Sequence, residues 1–340
     1  MKPTIYNVAQ KAGVSIATVS KVLNHTGRIS DETRRRVTAI MDEMGYQPSV
    51  VASALTGKNT YTIGMLIPDI ANPFFAEIAR SAEDRAHELG YNLVICSTDN
   101  EWEKEAEYIA LLQQKSVDGI VLATGALNDK KLKDVLETRM PIALIARDMP
   151  TLAVDTVLVD DFMGGYQAAA HLLASGHQRI AVIAEDLKVM SSSERVRGYR
   201  HALEEYELIF DEQLVRISDY TIEGGKREAG FLLDQPQPPT AIFACNDMLA
   251  IGAIQASRER DIIIPDQLSI IGFDNTILAT IVDPPLTTIA QPMREMGSQV
   301  IDLLVQQISG EKQNKQRVIL LPELVVRRTT SPYAVKAIER

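Results

Sequence analysis

Apolar residues Ile5, Val8, Ala9 and Ala12 recur at the spacing of one helix face, and Thr4 ahead of them is placed to accept a backbone N–H as N-cap. Gly13 predicts a turn, and Ser15 caps the next segment. Val19, Val22 and Leu23 form the apolar stripe of that second helix, which leaves Ile16, Ala17 and Lys21 on its opposite face. A third helix is predicted after Ser30, with Asp31 and Glu32 in the first turn, where the macrodipole favours negative charge, and Gly45 as its stop. Two short helices joined by a glycine turn, the second presented outward, are the layout of a helix-turn-helix that reads the DNA major groove.

Between Pro48 and Gly57 lie only eight residues, and an isolated helix shorter than about 12 residues is marginal in water. Two readings of this stretch stand: a helix that forms only on docking, and is therefore switchable, or a plain tether in which Leu55 packs on the neighbouring domain. From Tyr61 onward the pattern alternates. Strands at 62–68, 91–97, 117–123 and 141–145 are separated by helices at 73–89, 101–115 and 128–138. A second series runs helix 162–174, strand 179–184, helix 194–206, strand 213–217, helix 222–233, strand 240–244, helix 246–259 and strand 268–272, with serines 191 to 193 read as a polar loop. Two such runs predict two lobes, each a parallel sheet with helices on both faces.

Charge sharpens the division. Residues 1–60 carry a balance of +4, whereas the whole chain of 340 residues carries −10, so the remainder holds −14. A basic head on an acidic body directs the head to a polyanion and keeps the body off it. Hydrophobic content of 46% and charged content of 24% fit a globular protein with a sizeable core. The N-terminus shows no export signal and no run of about 18 apolar residues occurs, so a cytoplasmic protein without a membrane span is expected. Cys96 and Cys245 sit in apolar runs and are expected as buried free thiols, and the five histidines make no metal-ligand spacing. No Gly-x-Ser-x-Gly, Gly-x-Gly-x-x-Gly or phosphate loop occurs, so neither catalytic residues, metal nor cofactor are expected.

In open α/β sheets small ligands bind beyond the carboxyl ends of the strands. Phe74, Phe75 and Tyr220, with Arg195, Asn246 and Asp274 as hydrogen-bonding groups, fall there and would suit a small polar ring or an anion. Each has a plain structural role beside this one: Asn246 as a helix cap, Asp274 as a turn closer, Arg195 as an ion-pair partner and Phe75 as a core residue.

The runs Thr4-Ile-Tyr-Asn-Val-Ala, Gly13-Val-Ser, Thr18-Val-Ser-Lys-Val-Leu-Asn, Asn72-Pro-Phe-Phe-Ala-Glu, Asn246-Asp, Ile271-Gly-Phe-Asp and Leu286-Thr-Thr-Ile resemble the lactose/galactose repressor (LacI/GalR) family of bacterial transcription regulators, in family order over residues 4 to 330. The resemblance implies an N-terminal all-α helix-turn-helix domain at 1–47, a hinge helix and linker at 48–60, and a C-terminal tail at 331–340. Between them, at 61–330, it implies an α/β two-lobed core like the type I periplasmic binding proteins, with parallel sheets. Lobe one is expected at 61–160 plus 291–325 and lobe two at 161–290, with three crossovers.

By the same resemblance, Ile16, Ala17 and Lys21 match base-reading positions, and Leu55 matches a leucine that wedges into the minor groove at the centre of a palindrome. The candidate DNA-contacting set is Thr4, Ser15, Ile16, Ala17, Thr18, Ser20, Lys21, Asn24, His25 and Leu55. The candidate effector set is Phe74, Phe75, Arg147, Arg195, Tyr220, Asn246, Asp274 and Met293. The implied protein is a homodimeric repressor on a double-stranded DNA operator, controlled by a small effector: a sugar, a sugar derivative or another metabolite. A binding or transport receptor with no DNA role is the rival, but it needs a signal segment and no basic head. Some positions depart from the family pattern. Ala146 precedes Arg147 where sugar-binding relatives often have an acid, which argues against a plain sugar. Ser49 and Ser53 replace the usual hinge Asn and Arg, and Asn7 stands where Asp is usual. Arg294-Glu295 does not resemble the tyrosine-acid pair of relatives that bind a phosphorylated carrier protein.

Overall fold

The computed structural model describes residues 3–23, 27–46, 59–124, 140–312 and 314–333. The segment 48–57, the helix expected at 128–138, and Asn24, His25 and Leu55 lie outside the described residues. The chain divides into two compact units, Met1–Thr60 and Tyr61–Arg340.

In the head, α1 (Ile5–Ala12), α2 (Ile16–Leu23) and α3 (Asp31–Met44) follow the predicted stops and starts. Thr4 and Asn7 cap α1 reciprocally: the Thr4 N–H donates to Asn7 Oδ1 at 2.9 Å and the Asn7 N–H to Thr4 Oγ1 at 3.4 Å. Asn7 therefore does the work of the acid usual at this point of a cap. Gly13 turns the chain at φ 64°, a left-handed conformation open to glycine at little cost, and Val14 N–H closes back on the Ala9 carbonyl. Val8, Ala9, Ala12, Val19, Val22 and Val37 form the buried core.

The body holds two six-stranded sheets. The first has the order β11-β5-β4-β3-β1-β2, built from β1 (Thr62–Ile67), β2 (Asn92–Ser97), β3 (Gly119–Leu122), β4 (Ile142–Ile145), β5 (Asp155–Val159) and β11 (Arg317–Leu320). Its strands are all parallel, and α4 (Pro73–Glu88), α5 (Trp102–Gln114) and α11 (Met293–Ile308) accompany it. The second repeats the arrangement as β12-β10-β9-β8-β6-β7, from β6 (Ile180–Ala184), β7 (Val215–Ile217), β8 (Ala241–Ala244), β9 (Ser269–Asp274), β10 (Thr287–Ala290) and β12 (Glu323–Val325). Only β12 runs antiparallel there. Its helices are α6 (Asp161–Ala174), α7 (Met190–Glu205), α8 (Ile222–Leu233), α9 (Asp247–Arg258) and the short α10 (Ile277–Ile281).

The chain passes between the lobes three times: from β5 to α6, from β10 to α11, and from β11 to β12. The last passage corrects the expected boundary, because Glu323–Val325 pairs with β10 and so belongs to the second sheet. The series read from the pattern ends at 272; the structure adds α10, β10, α11, β11 and β12 beyond it, and β5 before the second series. Serines 191–193 are helical, contrary to expectation. Ser192 Oγ donates to the Glu185 carbonyl, before the helix begins, and Ser193 Oγ to the Met190 carbonyl, so both hydroxyls of the helical segment are satisfied.

Helices α6 and α7 touch backbone to backbone. A Cβ at Gly165 would lie 2.1 Å from the Arg195 carbonyl oxygen, and one at Gly198 would lie 2.1 Å from that of Phe162. This close seat aims Arg195 across at the first turn of α6.

Candidate functional site

In the head, Ser15 starts α2 by accepting the Thr18 N–H at 3.1 Å, while Ser15 and Thr18 hydroxyls share a 2.9 Å hydrogen bond. With Val19 and Val22 buried, the helix exposes Ser15, Ile16, Ala17 and Lys21; Thr18 and Ser20 are half-buried. Ile16, 40% exposed, offers the apolar contact that a thymine methyl accepts, and Lys21 offers a cation to a guanine edge or a phosphate. Thr4 sits at the cap of α1, exposed and engaged with Asn7.

In the body, a cavity of about 920 Å³ lies between the carboxyl ends of the two sheets. Phe74, Phe75, Arg147, Arg195, Tyr220, Asn246 and Asp274 all line it. Met293 does not: it is 5% exposed and packs into the first lobe's core with Phe74 and Met296, since the first turn of α11 lies on α4 rather than opening to the cavity. Phe74 packs with that core too, and its ring meets Phe75 edge-on at 5.0 Å.

The polar side is built by the second lobe. Asn246 caps α9 by accepting the Leu249 N–H at 2.7 Å and donates through Nδ2 to Glu185 Oε1 at 3.0 Å. It is thus a helix cap that also stands in the cavity wall. Arg195, 8% exposed, donates to Asp161 Oδ1 at 2.8 Å and to the Cys245 carbonyl, with its guanidinium 3.7 Å from the Phe273 ring centroid. Asp274, 6% exposed, accepts from Gln291 Nε2 at 2.7 Å. Its backbone at φ 114° is strained for a residue with a side chain, whereas Asn275 at 62° lies in the left-handed region that asparagine tolerates. Behind it, buried Asp247 accepts the Thr276 N–H and hydroxyl and the Thr288 hydroxyl.

Burial pushes Asp161, Glu185 and Asp274 above the usual carboxylate range, with Arg195 acting against it in each case. Burial also takes Asp247 up to about 6 and the Cys245 thiol up to about 12, which leaves that cysteine an inert packing group. In the first lobe, Arg147 is spoken for: it donates to the Thr124 carbonyl and lies 3.4 Å from Glu105, which is fully buried.

Asp161, Glu185, Gln291 and Arg317, all in the cavity wall, are not in the expected set. Asp161, Gln291 and Arg317 follow or sit on β5, β10 and β11, strands with too little apolar periodicity to announce themselves. Glu185 is the first residue past β6, whose end at 184 matches the predicted strand, so its place directly after a strand end is the signal that marks it. Among the described residues no group of acids, histidines and cysteines forms a metal cage, and no helix is long and apolar enough to cross a membrane.

The family model described as bacterial regulatory proteins, lacI family, matches residues 4–49, and that of a periplasmic binding protein-like domain matches 169–330. The chain is 51% identical over 335 residues to the HTH-type transcriptional regulator DegA of Bacillus subtilis, covering 98% of this chain and 99% of that one. It is 35% identical to Catabolite control protein A of Priestia megaterium, over 97% and 100% of the two chains. Among solved structures it is similar to the Lac repressor dimer bound to operator and the anti-inducer ONPF, with a TM-score of 0.87 and 29% identity over 97% of this chain and 100% of that one.

Proposed function

Because the chain belongs to the lacI family of bacterial regulatory proteins, with its DNA-binding helix-turn-helix and effector-binding core, we propose that it is a repressor that binds a palindromic operator as a homodimer and responds allosterically to a small molecule in the interlobe cleft. One observation carries the reading. A single chain presents an outward helix with a reading face, Ile16, Ala17 and Lys21, and a polar-aromatic cavity large enough to enclose a metabolite.

A dimer is supported by apolar side chains exposed on the body: Val94 and Ile95 on the edge strand β2, Trp102 and Leu111 on α5, and Ile277 and Ile281 on α10. The solved Lac repressor neighbour is itself a dimer on operator, bound to a small anti-inducer. Coupling between cleft and head of about 1 to 3 kcal/mol gives a 5- to 150-fold change in operator affinity. Leu55, outside the described residues, remains the candidate minor-groove wedge, and the protein acts where the DNA is, in the cytoplasm.

The test is selection of bound sequences from random DNA with the full chain, followed by titration on the selected site. A palindromic consensus, two protomers per site by ultracentrifugation, and affinity falling steeply with salt are the expected results. Lys21→Ala shifts base preference at one position per half-site by about 1–3 kcal/mol. A monomer on its selected site, or affinity indifferent to ionic strength, refutes the reading.

A further inference from the structure

Lys21 sits in the last turn of α2 with its ammonium uncommitted. Lys11 on α1 is held by Glu43 at 2.8 Å, whereas among the described residues Lys21 makes neither an ion pair nor a hydrogen bond. Its stem is nonetheless placed. Gly27, beyond the end of α2 and at φ 74°, lies beneath it: a Cβ built on Gly27 would come 3.2 Å from Lys21 Cδ, 3.6 Å from Cε and 3.7 Å from Cγ. Three successive methylenes thus run over the bare backbone of one glycine, as long cationic side chains lay their stems on nearby surface and keep the charge in water.

Two features of this position exclude most side chains, and they differ in kind. The left-handed backbone is open to glycine at little cost and is tolerated by asparagine. The space is not open to either asparagine or alanine, because a contact of 3.2 Å is tighter than the about 3.5–4.0 Å at which carbon atoms pack best. Any Cβ there moves the Lys21 stem. An exposed lysine stem yields at small cost to the fold, but it then loses its seat. Ordering a free, rotamer-rich side chain at an interface weakens binding roughly 2- to 12-fold, and a seat already formed in the free protein avoids that loss. A phosphate accepts a point charge from many directions, whereas a base edge must be met at one place, so a seated stem serves base reading above all.

We infer that Gly27 is a specificity-determining residue of the DNA-reading head: having no side chain, it seats the stem of Lys21 and so fixes how the ammonium meets a base edge. The inference rests on the reading of Lys21 as a base contact and adds to it the residue that aims it.

The experiment measures binding of the full chain to its selected operator and to every single-base variant of one half-site, for the wild type, Lys21→Ala, Gly27→Asn and Gly27→Ala, with circular dichroism as the check on folding. Lys21→Ala is expected to lower discrimination at one position of the half-site. Both Gly27 variants are expected to lower discrimination at that same position by about 2- to 12-fold and to leave the other positions within about twofold. In the Lys21→Ala background, Gly27→Asn is expected to change nothing further there. A glycine needed only for the loop would lower affinity for all sequences alike. Unchanged discrimination in Gly27→Asn, or an even loss alone, therefore overturns the inference and leaves Lys21 a base reader. No positional effect from Lys21→Ala overturns the base-contact reading and the inference with it. Should neither Gly27 variant fold, a crystal structure of the wild type on its operator decides: a Lys21 stem on Gly27 with the ammonium at a base edge supports the inference, and a stem clear of Gly27 overturns it.

Discussion

The two lobes share one strand order and divide the work of the cleft unequally. The first lobe contributes rings, Phe74 and Phe75, and keeps its buried cation Arg147 tied to Glu105 on its own α5. The second contributes the charged set, Arg195, Glu185, Asp161 and Asp274, on strand ends and on helices seated backbone to backbone. Apolar surface tolerates small shifts, whereas hydrogen bonds and ion pairs weaken within a few tenths of an ångström. The difference teaches that directional groups gather on one wall of the cleft and rings on the other, although helices seat backbone to backbone in both lobes, α11 on α4 at Gly297 as α7 on α6 at Gly198.

Breaking that seat gives the largest expected effect. Gly198→Val sets a Cβ 2.1 Å from the Phe162 carbonyl oxygen, and urea denaturation should show a loss of about 4 kcal/mol or more, or no folded protein. Gly64→Ala in the first lobe meets the Leu112 side chain at 2.5 Å, a group able to turn aside, and should cost about 1–3 kcal/mol. Equal losses would show that the backbone obstacle costs no more than the side-chain one. Next, Asp274→Ala should abolish the effector response in an operator-binding titration while apo operator affinity holds within about twofold. An intact response would reduce Asp274 to a turn residue.

The smallest effect is a matter of pH. Asp247 binds its proton up to about pH 6 in the folded chain against 3.8 for an ordinary aspartate, so between these values the folded state holds a proton that the unfolded state has released. Stability therefore falls as pH rises through that window and is regained as pH is lowered. Asp247→Asn can accept from Thr276 through its oxygen and donate to the Thr288 hydroxyl through its nitrogen, so calorimetry should find the slope between about pH 4 and 6 flattened without loss of fold. An unchanged slope would place that pH dependence elsewhere.

Local signals were legible where they are covalent neighbours. Thr4, Gly13, Ser15, Ser30 and Gly45 announce the helices of the head, and the apolar runs from Thr62 to Gly272 announce most of the sheets. What escaped depends on distant partners. β5 begins with Asp155, which is fully buried because Lys312 and Lys315 reach it from beyond α11, a pairing that no window around Asp155 contains. Seven of the eight residues expected in the cleft are in its wall, since strand ends were predicted well. Met293 was misplaced because its helix packs on α4, a contact between segments far apart in the chain.

The three short passages between the lobes, one or two residues each, carry a mechanical consequence. Two bodies joined by a single strap can swivel freely, but three side-by-side straps suppress sliding and twisting and leave rocking about their common line as the cheap movement. A molecule lodged off that line has leverage: a small change in its size becomes a change in tilt, and in the proposed homodimer that tilt is what the second protomer would sense.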